Sequence, residues 1–174
     1  MSLPAQKSAY WLPEDDWRKV QRCLPILCVE VLPVRRAGGA VREIGLIRRN
    51  TPHQGIRWCL IGGRLQYDEL IAEAVGREIR EALGEGVGYV WDGRDEPLKV
   101  AQYMPTTQKG EYFDPRQHAV SLVFAVDLSG APSPRGEALD FQWFSLDRIP
   151  EAESVGFGHG KLLADCLRAL AAIP

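Results

Sequence analysis

The chain of 174 residues is poor in the residues that build metal clusters and disulfide frameworks: it has four cysteines and three histidines. Cys23, Cys28, Cys59 and Cys166 form no C-x-x-C pair and lie far from the histidines in sequence. The pattern speaks against a structural zinc site and reads as four reduced thiols in a cytoplasmic protein. No excess of one charge is present. The 21 basic and 23 acidic side chains leave a net charge of -2, which argues against a general binder of nucleic-acid polymers or of membrane surfaces. No apolar run approaches the roughly 20 residues of a membrane span. The opening "MSLPAQKSAYW" has one lysine and no apolar core, so it does not read as a secretory signal. There is no internal repeat and no low-complexity linker. What remains is an ordinary globular composition, 45% hydrophobic and 25% charged, enough for one domain with a sizeable core.

Local patterning predicts the order of elements. "LPEDDWRKVQRCLP" reads as a short helix opened at Pro13 and ended by Pro25, with acids in its first turn. "ILCVEVLPV" (26–34) and "VREIGLIRR" (41–49), joined by "RRAGGA", read as a hairpin. A loop at 50–55 leads to a strand "IRWCLIGG" (56–63) that ends on two glycines. From Glu69 to Leu83, the residues Ala72, Val75, Ile79, Ala82 and Leu83 recur at helical spacing, and Gly84 suits a C-cap. Strands are predicted at 87–91, 98–104, 118–128 and 139–146, a turn-rich loop at 129–138, and a terminal amphipathic helix at 161–172. Strands before and after a central helix imply mixed α/β (α+β) layers around one core. Residues 1–25 read as an N-terminal helical extension and 26–174 as the main domain.

The chemistry concentrates in "GGRLQYDELIAEAVGREIREALGE". Glu78 and Glu81 are three residues apart and share a helix face, and position 82 would flank Glu78 one turn on. Like charges on one face repel unless a cation sits among them, and oxygen ligands without nearby cysteine or histidine suit Mg²⁺ or Mn²⁺. Gly63, at a strand end, can offer a bare backbone carbonyl to the same ion. Arg77 is four residues from both Glu73 and Glu81 and can orient the carboxylates. A solvated amphipathic helix with ordinary i,i+4 pairs is the plainer account of the same charges.

Gly63, Glu69, Arg77, Glu78, Ile79, Glu81 and Gly84 fall at the offsets of the Nudix box, G-x5-E-x7-R-E-U-x-E-E-x-G-U with U aliphatic, and the stretch resembles it. Ala82 replaces the second glutamate of the pair and Glu85 the final aliphatic. The resemblance implies a Nudix fold, a mixed β-sheet sandwiched between helices. It also implies hydrolysis of a nucleoside diphosphate linked to another group, a small-molecule substrate, with Glu78 and Glu81 as metal ligands or base and the Gly63 carbonyl as a further ligand. Ala82 has no donor atom, so its coordination position falls to water, to another side chain, or is lost. "RRNTPHQGIRWCLIGGRLQYDE", "HAVSLVF" and "DFQWFSL" are similar to stretches of GDP-mannose mannosyl hydrolases, which favours a nucleotide sugar. That subfamily keeps a glutamate at position 82 and loses those at 78 and 81, and its Gln-His pair is replaced here by Glu137 and Ala138. Glu137 is then the candidate metal ligand from the loop before the last strand.

Arg48 matches a diphosphate-contacting arginine of that subfamily. It lies in a basic segment with Arg35, Arg36, Arg42, Arg49 and Arg57, which suits an anionic diphosphate. Arg48, Arg64 and Arg77 are the substrate-binding candidates. His118 and His159 are weaker ones, better read as a strand-start histidine and part of a glycine-rich connector. Trp11, Trp17, Trp91 and Tyr103 could stack on a base, or pack a core or a homodimer interface. Three readings stay open. The first is hydrolysis at phosphorus. The second is attack at the sugar carbon. The third is a binding or sensing module that has lost turnover with Ala82.

Overall fold

A strand of nearly unbroken β-branched and apolar residues organises the molecule. The computed structural model describes residues 12–91, 96–106 and 112–172. Its helices are α1 (Glu14–Cys23), α2 (Ile71–Leu83) and α3 (His159–Ala171). Its strands are β1 (Ile26–Ala37), β2 (Ala40–Thr51), β3 (Gly55–Cys59), β4 (Ile61–Arg64), β5 (Val87–Val90), β6 (Lys99–Met104), β7 (Tyr112–Phe113), β8 (Ala119–Gly130) and β9 (Asp140–Ser145). A short 3-10 turn, Ala152–Ser154, precedes α3. The predicted mixed sheet between helices is the observed architecture. Trp11, one of the stacking candidates, lies outside the described residues.

β1 and β2 form the predicted hairpin. Gly38 and Gly39 turn it with φ of 61° and 82°, the left-handed region that glycine enters without steric cost. The pairing runs from Ala37↔Ala40 to Val34↔Ile44, with an irregularity at Arg35/Arg36. Beyond it the two strands part. The freed edge of β2 takes β3, from Ile47↔Cys59 to Thr51↔Gly55. The freed edge of β1 takes β4, from Cys28↔Arg64 to Val31↔Ile61. The stretch 56–63 is therefore two strands and not the single predicted one. It breaks at Leu60 because its halves pair with different partners, and the Leu60 N–H turns instead to Nδ1 of His159 at 3.4 Å.

β8 runs parallel along the other edge of β1, from Ile26↔Ala119 to Val34↔Asp127. β6 and β5 lie antiparallel along the outer edge of β8, and β9 pairs with β2. β8 reaches Gly130 and not residue 128, because β5 extends the ladder to Val87↔Gly130. α3 starts at His159, two residues before the predicted boundary.

Alternation along β1 sorts the core into two clusters, one on each face of the sheet. Val29 and Val31 face α2 together with Ile61, Val75, Ile79 and Phe124. Leu32 and Val34 face α3 together with Leu46, Leu162, Leu163 and Cys166. Each such side chain contributes roughly 1.5–3 kcal/mol of transfer free energy. α1 settles on the α3 side through Trp17 and Val20, with a Gln21–Gln117 amide hydrogen bond of 2.8 Å. All four thiols are free: Cys23 is exposed, and Cys28, Cys59 and Cys166 are buried. Burial pushes each of the three buried thiols up to about 12.

Gly45 of β2 marks how tightly β9 is laid down. A Cβ there would sit 2.5 Å from the Phe141 ring and 2.9 Å from Cβ of Pro33. Gly45→Ala is expected to lower stability by about 1–3 kcal/mol, read as a lower urea midpoint at unchanged slope.

Candidate active site

The end of β4 and the first turns of α2 are clamped together by one guanidinium. Arg77 Nε and Nη2 donate to the two carboxylate oxygens of Glu69 at 2.6 and 3.0 Å. Its Nη1 donates to Glu78 Oε1 at 2.6 Å, and Nη2 also reaches the Arg64 carbonyl at 3.0 Å. Glu81 Oε2 lies 3.5 Å from the same Nη1. Glu69 is held from its other side by the Gln66 N–H at 2.9 Å. Burial works against the Arg77 charge, but the Glu69 and Glu78 carboxylates hold its pKa above the ordinary arginine range. Glu73, predicted as another Arg77 partner, instead accepts the Leu70 N–H at 2.8 Å and caps α2.

Glu78 lies directly over Gly63, while Gly62 faces Glu30 and the Val29 carbonyl. A Cβ on Gly63 would fall 2.4 Å from Glu78 Oε1, so only glycine leaves room for the carboxylate. Burial raises the Glu78 pKa, and the charges of Glu81 and Glu137 raise it further against the pull of Arg77. Carboxylates from two parts of the chain are thus felt at one point. Glu137 itself is an exposed carboxylate whose nearest cation is Arg49. With the side chains so placed, no group of three His, Cys, Asp or Glu residues is gathered tightly enough to hold a metal ion among the described residues.

The segment ahead of Glu137 caps the C-terminus of α2. Ser133 N–H donates to the Leu83 carbonyl at 2.8 Å and Arg135 N–H to the Ala82 carbonyl at 2.9 Å. The Arg135 guanidinium reaches the Arg80 carbonyl at 2.8 Å. A Cβ on Gly136 would stand 3.3 Å from the Glu81 carbonyl. Ala82 is only 9% exposed, in the same apolar cluster as Ala138. The residue that looks like a defect in the box is therefore a packing residue under the loop that carries Glu137.

The other predicted residues scatter. Arg48 faces Trp58, 5.8 Å from its ring centroid, at a shallow cleft shared with Arg57 and Glu151. Arg64 lies 4.0 Å over the Trp17 ring. Trp91 packs edge-on against Phe124, and Tyr103 is buried beside Tyr112, so both are packing residues. His118 bonds the Gln102 amide at 2.8 Å. His159 is buried at the start of α3, with Nε2 3.9 Å from Glu30.

A family model described as a domain of unknown function, DUF4916, matches residues 7–172. The chain belongs to the DUF4916 family. A solved structure from Jonesia denitrificans, a possible asymmetric diadenosine tetraphosphate hydrolase, is 30% identical to this DUF4916 chain, with a TM-score of 0.79 over 87% of this chain and 98% of that one. A MutT Nudix hydrolase from Burkholderia pseudomallei shares the fold at 24% identity and a TM-score of 0.59, over 86% of this chain and 98% of that one. The ADP-ribose pyrophosphatase of Methanocaldococcus jannaschii is 29% identical over 122 residues, 70% of this chain. The chain spans 63% of that curated relative's length. The DUF4916 chain thus has the Nudix fold, and the relatives it resembles are hydrolases.

The sequence reading missed the polar groups beneath the β1–β2 fork of this DUF4916 domain. Glu30, alone among apolar neighbours in "ILCVEVLPV", was the available signal. Burial, reinforced by Glu78, lifts Glu30 from 4.5 to about 8. Burial, reinforced by Arg49, lowers His159 from 6.5 to about 3. A raised carboxyl stabilises the fold below its unfolded pKa and loses that contribution as pH rises towards its folded pKa. A lowered histidine acts oppositely, losing stability as pH falls below its unfolded value. The two slopes, each about 1.4 kcal/mol per pH unit, cancel between 4.5 and 6.5 and leave Glu30 alone from 6.5 to about 8. Stability is expected to fall across that upper window and the Glu30→Gln variant to flatten it, checked by chemical denaturation at stepped pH. Ala82→Glu is expected to cost about 1–3 kcal/mol by the same measurement, since it buries a carboxylate under the loop.

Proposed function

We propose that this DUF4916 domain is a divalent-metal-dependent hydrolase of a nucleoside diphosphate linked to another group, with a nucleotide sugar as the leading substrate class. The observation that supports it best is the Glu78 carboxylate lodged over Gly63, its pKa raised by burial and further by the charges of Glu81 and Glu137. Carboxylates with a backbone carbonyl, and no cysteine or histidine among them, are the donor set that Mg²⁺ or Mn²⁺ takes. The Gly63 carbonyl, Glu78, Glu81 and Glu137 would hold the ion. Once bound, it would neutralise diphosphate charge and lower the pKa of an attacking water.

The chain's own residues supply the rest of the reading. Arg77 fixes Glu78 through Oε1, which leaves Oε2 to take a proton from the attacking water. A carboxylate with a raised pKa suits that role. Glu137 must leave Arg49 to join Glu78. Its side chain is 72% exposed, and an ion pair with so exposed a partner resists by only about 0–1 kcal/mol. Arg48, at its cleft beside Trp58, and Arg64, over Trp17, stand apart from these carboxylates, and in this reading they would turn to the diphosphate only once it is bound. Support for hydrolysis also comes from the relatives, among them an ADP-ribose pyrophosphatase and a possible diadenosine tetraphosphate hydrolase.

A second reading, a binding module without turnover, is favoured by Ala82, which leaves the box one carboxylate short. Incubation with nucleotide sugars and dinucleotides plus Mg²⁺ or Mn²⁺, followed by ³¹P NMR, separates the two. Metal-dependent turnover is expected, reduced on the order of 10²–10³-fold in the Glu78→Gln variant. Binding with no turnover above that variant would defeat the hydrolase. Release of nucleoside monophosphate marks attack at phosphorus, and nucleoside diphosphate marks attack at the sugar carbon. The metal-free variant is expected to melt no lower than the parent, because the amide replaces a carboxylate whose charge burial disfavours.

A further inference from the structure

We propose that the cavity against Phe113 and Phe157 is a nucleobase subsite, and that Arg49 and Arg116 beside it take up the adjoining phosphates. The inference rests on the hydrolase reading and assigns a place to its base.

The cavity, of about 200 Å³, is lined by both phenyl rings with Thr51, Gln54 and Asp114. It is smaller than the roughly 300 Å³ at which drug-sized pockets begin, which suits one planar ring system. Phe113 is 41% exposed, an aromatic face without full burial. Phe157 holds a φ of 57°, a conformation non-glycine residues seldom adopt. Its N–H is tied to Gln54 Oε1 at 2.8 Å. Strain of this kind persists where surrounding contacts impose it and collects at functional sites.

Two guanidinium groups flank the same ring, Arg116 at 5.0 Å and Arg49 at 5.4 Å from its centroid. Asp114 fixes Arg116 in a two-pronged bond of 2.9 and 2.7 Å. Among the described residues Arg49 pairs with the exposed Glu137 alone, and its buried Nε has no hydrogen-bond partner there. Two cations drawn together beside a cavity, one with a buried donor unsatisfied, call for an anion. Both also act on Glu30, as does Glu78. Arg49 joins the two places, standing 5.4 Å from the Phe157 ring centroid on one side and ion-paired to Glu137 on the other. An aromatic slot, then cations, then metal-binding carboxylates is the order of groups in a nucleoside diphosphate derivative read from its base. Departure of Glu137 from Arg49 would free the arginine for phosphate.

Calorimetric titration of the metal-free protein tests the assignment without turnover. The probes are adenosine 5′-diphosphate, uridine 5′-diphosphate and inorganic pyrophosphate. At least one nucleoside diphosphate is expected to bind about 10-fold or more tightly than pyrophosphate, as base stacking allows. Phe157→Leu and Phe113→Leu should remove that advantage and leave pyrophosphate affinity as it was. Arg49→Gln should weaken all three ligands alike. Phe113 is exposed enough that its variant keeps the fold, should Phe157→Leu fail to. Equal binding of all three ligands by the parent protein would overturn the subsite, as would phenylalanine variants that weaken pyrophosphate equally. Arg49→Gln binding like the parent would overturn the phosphate assignment. A base-selective protein that hydrolyses nothing would keep the subsite and defeat the hydrolase.

Discussion

Carboxylates cannot crowd one end of a helix without a cation to hold them, and Arg77 is that cation. Its guanidinium engages Glu69, Glu78, Glu81 and the Arg64 carbonyl. It therefore ties the loop before α2, the helix face and the end of β4 into one unit. The planar fork matters more than the charge, because a lysine ammonium could not meet Glu69 through two donors and still reach Glu78. The sheet makes this unit possible. β4 reaches α2 only because β1 and β2 part after the hairpin and let a strand in on each side of the gap.

Much of this was legible in the sequence because it is written in local terms. The hairpin follows from two apolar runs around a glycine turn, and α2 from its apolar spacing. The break at Leu60 was hidden, since "IRWCLIGG" is a sound strand by composition and only the divergence of two partners splits it. Glu30 and Arg116 escaped for a related reason, and Arg49 and His159 were read only as members of a basic segment and a connector. They come from β1, β2, the approach to β8 and the start of α3, and nothing short-range links them.

Ala82 shows how misleading a motif can be when read as a row of independent positions. In the box it is an omission. In the fold it is a small side chain under a loop that bonds the last carbonyls of α2 and brings Glu137 towards Glu78. The alanine and the loop make sense together. A glutamate at 82 and this path of the loop would compete for the same space.

The uneven exposure of the thiols gives the molecule a practical property. Cys28, Cys59 and Cys166 are shielded and keep their protons at neutral pH, so alkylating reagents, which need an accessible thiolate, pass them by. Cys23, exposed at the end of α1, is left as the single addressable thiol in the native protein. Its helix presents Trp17 to Arg64, next to the strand residue beneath Glu78. A fluorophore or spin label there would attach at one defined position, away from the carboxylates, on the helix that abuts their support.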